Sequence, residues 1–540
     1  MQHDTSACSK GGSTMNKLAT AALAAALLTG GSIDALAIER GGDLTFGRYA
    51  DSLLLDPVWN DANVDIWIFT NLYDTLIRSS PDGKSLEPGL ATAWTISDDG
   101  AEVTLTLRDG VKFADGSDMT AEDVKWSLDR ARNPENGIWN GLIASIDSVE
   151  IADPQTVVLK LKNPDPTIIP ALAVFNTGIM PKALYEAEPG ATDQEKAESF
   201  AQHPIGTGPF VLESWERGSR MRMVRNPHHW EMGEDGEPLP YLDSVTFEII
   251  PDDATRILKL KSGELGGAEF IPFARVAELD ADPNIDMQLF PGTRVTYLTM
   301  NVRPELSDGT PNPLSDVKVR QALNHAIDKD AIVQIVTYGV GTPAQSYMSS
   351  TTPMARLEGQ PYPYDPEKAK ALLGENEWAD GFEVSIYALA GSADELAIDS
   401  AVQQMWSPLG VKLNIEQVDN ATRTAHYRAG DFQMRNSSWT NDINDPSQIT
   451  SYMAYYPLIE SVHSGWNNDE VNKLFEQSQH ELDPEARAAQ YEQSQEIHSS
   501  EAPVIYLDET PYPVALQESV EGFYQIPLGN NIFAKTYIEK

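Results

Sequence analysis

Apolar and polar residues alternate in Val103-Thr104-Leu105-Thr106-Leu107 and in Val245-Thr246-Phe247-Glu248-Ile249, the period of a strand with one buried face. Elsewhere the period lengthens. After Thr120, whose hydroxyl suits a helix N-cap, Val124, Leu128 and Ala131 fall at i, i+4 and i+7 and predict an amphipathic helix. Val319, Ala322, Leu323, Ala326 and Ile327 recur at the same spacing, with Asp316 near the positive end of the helix dipole. Asp365-Pro366 and Asp483-Pro484 each place a capping carboxylate before a proline at the first helical position. Strands and helices interspersed in this way predict an α/β chain. No internal repeat or low-complexity tract is evident, which sets aside solenoids and propellers. Pro/Gly-rich stretches at Pro204 to Pro209, Asp308 to Pro313 and Gly359 to Pro366 read as loops or boundaries.

The N-terminus has a different pattern. Met15-Asn16-Lys17 precedes an apolar run from Leu18 to Leu28, interrupted by Thr20, and Ala35-Leu36-Ala37 supplies a small-x-small exit. This is the pattern of a secretory signal peptide cleaved after Ala37, with residues 1–14 read as an upstream extension of the start. The run is too short to span ~30 Å of hydrocarbon. The single cysteine, Cys8, lies upstream of the cut, so the mature chain is expected to have no disulfide, no thiolate nucleophile and no lipid-anchoring cysteine. The later run Ile168 to Met180 is broken by Pro170 and Asn176, so no anchor is expected there. A free, soluble periplasmic protein, monomeric and without a direct membrane anchor, follows as the expectation.

Composition narrows the function. A chain of 540 residues exceeds what one hydrophobic core can organise, so two or three domains are expected. The 81 acidic residues against 39 basic ones, a formal charge of −42, disfavour nucleic acid and anionic lipid as partners. Catalytic signatures are missing. There is no His-Glu-x-x-His pair for zinc and no Gly-x-Ser-x-Gly nucleophile elbow, and Gly83-Lys84-Ser85 lacks the earlier glycine of a phosphate loop. His228-His229 reads as an exposed turn, and Asp98-Asp99-Gly100 and Asp252-Asp253 read as turns. No catalytic residue, metal site or cofactor is assigned.

Specific resemblance appears in the run LATAWTISDDGAEVTLTLRDGVKFADGSDMTAEDVKWSLDRA, Leu90 to Ala131, which resembles the signature region of the family 5 extracellular solute-binding proteins. These are the dipeptide-, oligopeptide- and nickel-binding type of receptor for ABC importers. The similarity continues at Ile205 to Trp230 and Pro238 to Leu265, then at Leu314 to Val333, Tyr364 to Leu373 and Ser464 to Leu474. It implies a two-lobed periplasmic-binding-protein fold (type II, cluster C) with an extra subdomain in the first lobe and a hinge between the lobes. By that resemblance lobe I comprises 38–70, 205–300 and 512–540, the extra subdomain 71–204, and lobe II 301–511. The hinge crossings are expected near Leu298 to Arg303 and Tyr506 to Pro513. The implied partners are a small-molecule or peptide ligand and an inner-membrane ABC permease with its ATPase.

Site residues follow mainly from the same resemblance. Trp439-Thr440-Asn441-Asp442-Ile443-Asn444-Asp445-Pro446 is similar to a segment of peptide-binding relatives whose first aspartate meets the ligand's α-ammonium group, a role that transfers to Asp442. A carboxylate buried by closure requires a positive partner, and an ammonium supplies one. Trp439 offers a flat wall with a cation–π face, and Asn441 offers backbone polar groups. Arg435 could meet a ligand carboxylate. Asn436 stands where oligopeptide binders carry a carboxylate-binding arginine, and Tyr387 to Asp394, where dipeptide binders carry theirs, has none. Tyr49, Leu54, Trp139 and Asn140 are further candidates for facing the cleft. The expected ligand is a peptide or another amine-bearing amino-acid derivative such as an opine. An oligosaccharide ligand and a periplasmic hydrolase on the same scaffold are the alternatives.

Overall fold

The computed structural model describes residues 38–540, apart from residues 61, 357, 358, 360 and 376. The expected leader, its cleavage after Ala37 and Cys8 lie outside the described residues. Among those residues no helix is long and apolar enough to cross a membrane.

The two alternating segments form strands. Val103, Leu105 and Leu107 are buried on the strand Glu102–Leu107, and Val245 and Phe247 on Ser244–Ile249. Thr120 caps the helix Ala121–Ala131 in a reciprocal box with Asp123. Asp316, Asp365 and Asp483 cap the helices Val317–His325, Pro366–Leu373 and Pro484–Glu501, the last two with proline in the first turn. Asp252, expected in a turn, instead caps the helix Asp253–Lys261 by accepting from the Thr255 amide at 2.8 Å. His229 also departs from expectation. It is buried, and its Nδ1 donates to the Thr207 carbonyl at 2.9 Å, because the turn after Asn226 folds back over residues 207–209.

Among the described residues the two largest sheets organise two lobes. The first orders Ile285–Phe290, Tyr512–Gln517, Gly267–Ala268, Asp43–Arg48, Ser244–Ile249, Arg220–Arg225 and Phe210–Glu216 side by side. The second orders Thr342–Pro343, Val504–Glu509, Val295–Met300, Met434–Trp439, Phe382–Leu389 and Val411–Val418. A four-stranded antiparallel sheet, Ala91–Ile96, Glu102–Leu107, Thr156–Leu161 and Ile146–Asp153, forms the extra subdomain. Its core is continuous with that of the first lobe: Val103, Leu159 and Phe175 share one hydrophobic cluster with Phe46, Phe247 and Phe533.

The strand Val295–Met300 lies in the middle of the second sheet, antiparallel to both neighbours and buried on both faces. The first crossing between lobes is therefore at residues 291–294, not near Leu298 to Arg303. The Pro-Gly pair at 291–292 breaks the chain there, whereas residues 298–300 are held by the sheet. The second crossing is the Thr510-Pro511 step between Val504–Glu509 and Tyr512–Gln517. The two crossings touch. A β-carbon on Gly292 would lie 2.9 Å from the Thr510 carbonyl oxygen, so only glycine fits without displacement.

Two buried ionic features hold the lobes. In the first, Arg48 and Glu269 form an ion pair at 3.0 Å with side chains about 1% exposed. Arg48 also donates to the Val64 carbonyl at 2.7 Å, and Asn531 donates to Glu269 at 2.8 Å, tying the sheet to a helix and to the C-terminal segment. In the second, Asp399 is fully buried and accepts both its hydrogen bonds, at 2.9 and 3.0 Å, from Asn436. Burial pushes the Asp399 carboxyl up to about 7 against the pull of the Asn436 amide, and Glu395 adds to the rise.

Removing one partner of a buried pair strands the other charge. Glu269→Gln is expected to lower unfolding free energy by about 3–5 kcal/mol in urea titration, and a loss below about 1 kcal/mol would contradict this role. Asp399 works in the opposite sense with pH. Its folded value stands above the ordinary 3.8, so its contribution is full below that value and is lost as pH rises through about 7. Asp399→Asn should therefore flatten the fall in stability across that window, and a slope equal to the parent's would refute the assignment.

Candidate ligand-binding cleft

A cavity of about 340 Å3 opens between the lobes, a volume suited to a small ligand. The first lobe contributes the helix Asn63–Phe69 and the residues after it, including Trp67, Thr70 and Tyr73. This helix is apolar on nearly every face because it is wedged between the sheet and the cavity. Its Asp65 accepts from the Leu53 amide at 2.8 Å and the Leu54 amide at 3.0 Å, fixing the loop before it. The extra subdomain adds Val174 and Phe175, and the C-terminal segment adds Tyr524 and Lys535.

The second lobe reaches the cavity through the loop after Met434–Trp439, with Thr440, Asn441 and Asp442 in the wall. Asp445 ends this loop by capping the helix Pro446–Met453 while pairing with Arg487 at 2.6 and 2.8 Å. Asn441 is buried. It accepts from the Trp439 indole at 2.9 Å, donates to Thr352 at 3.2 Å, and its amide donates to Thr293 at the first crossing at 3.0 Å. Asp442 sits on this clamp. Its amide donates to the Gln448 side chain, which donates back to Oδ2, both at 2.9 Å. Among the described residues no cation lies within ion-pair distance of Asp442. Burial pushes its carboxyl above the ordinary range, with the Gln448 bond pulling it partly back.

Trp439 stacks on Tyr452 at 4.1 Å, and Arg435 lies over the Tyr427 ring at 4.0 Å. Asn436 faces Asp399 inside the second lobe. Tyr49 stands behind Trp67, 6.1 Å away, and packs on Phe270 at 4.5 Å. Trp139 meets Phe175 edge-on at 5.1 Å and donates to the Asn60 carbonyl, while Asn140 bonds back to Gly137. Leu54 packs against the first-lobe cluster. Of the candidates from the sequence, the structure thus brings Asn441 and Asp442 into the cavity wall. Trp439, Arg435, Asn436, Tyr49, Leu54, Trp139 and Asn140 lie outside it.

Other wall residues carried no local signal. Arg78, on the strand Ile77–Ser79, pairs with Glu231 at 2.7 Å, and His229 and Asp74 are close by in the same wall. Trp230 and Thr207 each donate to Asp74 Oδ2 at 2.8 Å. These residues are drawn from two distant segments, 74–78 and 207–231, so no spacing rule could have grouped them.

The lobes also meet away from the crossings. Ile443, next to Asp442, is buried within the hydrophobic cluster of the first lobe and extra subdomain. His480 Nδ1 donates to the Pro164 carbonyl at 2.9 Å, and Leu482 packs so close to Gly100 that a β-carbon there would lie 2.7 Å from its methyl. The two lobes thus touch at these points as well as at the crossings.

Comparison with known proteins agrees with this architecture. The family described as "Bacterial extracellular solute-binding proteins, family 5 Middle" matches residues 85–457. The glutathione-binding protein GsiB of Salmonella typhimurium is 30% identical over 513 residues, covering 93% of this chain and 96% of that protein. The dipeptide-binding protein of Escherichia coli is 30% identical over 492 residues, covering 87% of this chain and 89% of that protein. The structure of HbpA2 from Haemophilus parasuis superposes with a TM-score of 0.81 at 29% identity, over 92% of this chain and all of that one. The fold is accordingly the two-lobed, type II periplasmic-binding-protein fold with its extra subdomain. From the family match over most of its length and the relatives aligned over nearly all of it, the chain belongs to the family 5 bacterial extracellular solute-binding proteins.

Proposed function

We propose that this chain is the periplasmic receptor of an ABC importer, capturing a peptide or another amine-bearing amino-acid derivative and presenting it to an inner-membrane permease with its ATPase. The observation that carries the reading is Asp442, a carboxylate drawn out of water in the cavity wall and bonded to the neutral Gln448 side chain, with no cation within ion-pair distance among the described residues. Such a group is costly unless a positive charge joins it, and a ligand ammonium would make a charge-assisted hydrogen bond there. The names of the glutathione-binding and dipeptide-binding relatives support a ligand of this class. The reading assigns no bond-breaking step; capture on closure and release on opening suffice. Closure excludes water, which strengthens the Asp442 contact, and Ile443 and Leu482 give the closed form apolar contacts of its own.

Mass spectrometry of small molecules released from the denatured, exported protein should find a stoichiometric amine-bearing compound; a neutral saccharide would overturn the ligand class. Asp442→Asn should weaken an amine-bearing ligand by more than about 1.5 kcal/mol in calorimetry and a neutral one by less. Equal losses for both would remove the argument for the amine. In the parent the free carboxyl titrates above its ordinary 3.8, and an ammonium favours its ionised form. Affinity should therefore be full at neutral pH and fall as pH drops through that raised range, with Asp442→Asn removing the dependence.

Opening and closing can be followed by X-ray scattering. Leu482→Asp is expected to enlarge the ligand-free radius of gyration and to weaken every ligand by a similar factor, since it acts on the closed form and not on ligand chemistry. An unchanged radius and affinity would show that this contact does not hold the lobes together.

A further inference from the structure

The ammonium site accounts for one end of the ligand. The first-lobe wall of the same cavity holds a second charged feature, the Arg78–Glu231 pair. Arg78 Nη1 donates to Glu231 Oε2 at 2.7 Å, and the side chains are 33% and 19% exposed, so the pair is not sealed in the core. The Arg78 guanidinium also lies 5.3 Å from the centre of the Trp230 ring. That ring is itself fixed by its hydrogen bond to Asp74 at 2.8 Å. Orientation of the guanidinium is thus set from two sides.

Donors remain to be used. A guanidinium has five N–H groups in a planar fork; Glu231 takes one from each terminal nitrogen, Nη1 at 2.7 Å and Nη2 at 3.4 Å, and Nε is buried, which leaves one N–H on each terminal nitrogen. Lys535 lines the wall too, with no carboxylate within ion-pair distance among the described residues. The nearby acids are better supplied, Glu231 by Arg78 and Asp74 by both Trp230 and Thr207. Glu87 also lines the wall, exposed and with no cation within ion-pair distance among the described residues, so the wall offers charge of both signs, Arg78 being its oriented cation, and the second lobe offers an anion at Asp442.

We infer that Arg78, oriented by Glu231, receives a carboxylate of the ligand, so that the receptor selects zwitterions with an ammonium at Asp442 and a carboxylate at Arg78. This rests on the reading of Asp442 given above. It supplies a carboxylate partner in a chain that lacks arginine at position 436 and throughout 387–394. Because the two charges belong to different lobes, a zwitterion bridges the cleft and favours the closed form more than a ligand with either charge alone.

The test is calorimetry with Ala-Ala, Ala-Ala-Ala and glutathione, each as the free acid, the C-terminal amide and the N-acetylated form. The parent should bind the free acid of at least one probe about tenfold or more tightly than its amide. Arg78→Gln should reduce that preference to less than about threefold, and Arg78→Lys should keep part of it. Glu231→Gln should widen the preference, because it releases the Arg78 charge from its internal partner. Thermal unfolding followed by circular dichroism checks that each variant is folded.

Equal binding of acid and amide by the parent would overturn the inference, as would an Arg78→Gln variant that keeps the full preference. If acetylation abolishes binding while Arg78→Gln changes nothing, the carboxylate assignment alone falls and the ammonium site stands. If none of the probes binds, both fall.

Discussion

At Gly292 the first crossing between the lobes passes so close to the second that a side chain would run into the carbonyl of Thr510. Everything else about the cleft depends on this contact. The two crossings, residues 291–294 and Thr510-Pro511, lead directly out of sheet strands on both sides, so dihedral change at these few positions moves whole lobes. Thr293 lies on the first crossing and bonds to the amide of Asn441. The loop that carries Asp442 is thereby tied to the crossing itself, and the position of the acid is coupled to the angle between lobes.

Around that crossing the chain separates structural charge from available charge. Arg48 with Glu269, and Asp445 with Arg487, are buried pairs whose donors and acceptors are used within the protein. Asp442 and Arg78 are the contrasting cases. Among the described residues Asp442 has a neutral partner and no cation within ion-pair distance, and Arg78 has a partner but spare donors at the cavity wall. A cleft needs such incompletely satisfied groups because a fully satisfied wall has nothing to offer a polar ligand. Ile443 and Leu482 add apolar contacts between the lobes beside these groups.

Much of the secondary structure was legible because its causes are local. Thr120, Asp316, Asp365 and Asp483 cap helices through side chains that reach amides two or three residues on, and the alternation at Val103 to Leu107 needs only one buried face. Of the residues lining the cavity, Asn441 and Asp442 stand in the contiguous motif that carried the resemblance. Arg78, Glu231, His229 and Lys535 line the same cavity without a sequence signal, because they meet only where the first lobe, the extra subdomain and the C-terminal segment converge. Asn436, a polar residue on the strand before the Asp442 loop, faces inward, because strand alternation turns it toward Asp399.

By itself the sequence determined an α/β chain, a family, the helix boundaries with local caps and one acid of the cleft, since each rests on neighbouring residues or an unbroken motif. Only the tertiary structure decided where the chain changes lobes, since a strand's sheet is chosen by distant partners: Val295–Met300 pairs with residues more than 130 positions away. It also decided which charges are left for a ligand, because whether an arginine or aspartate is satisfied depends on groups that folding brings beside it.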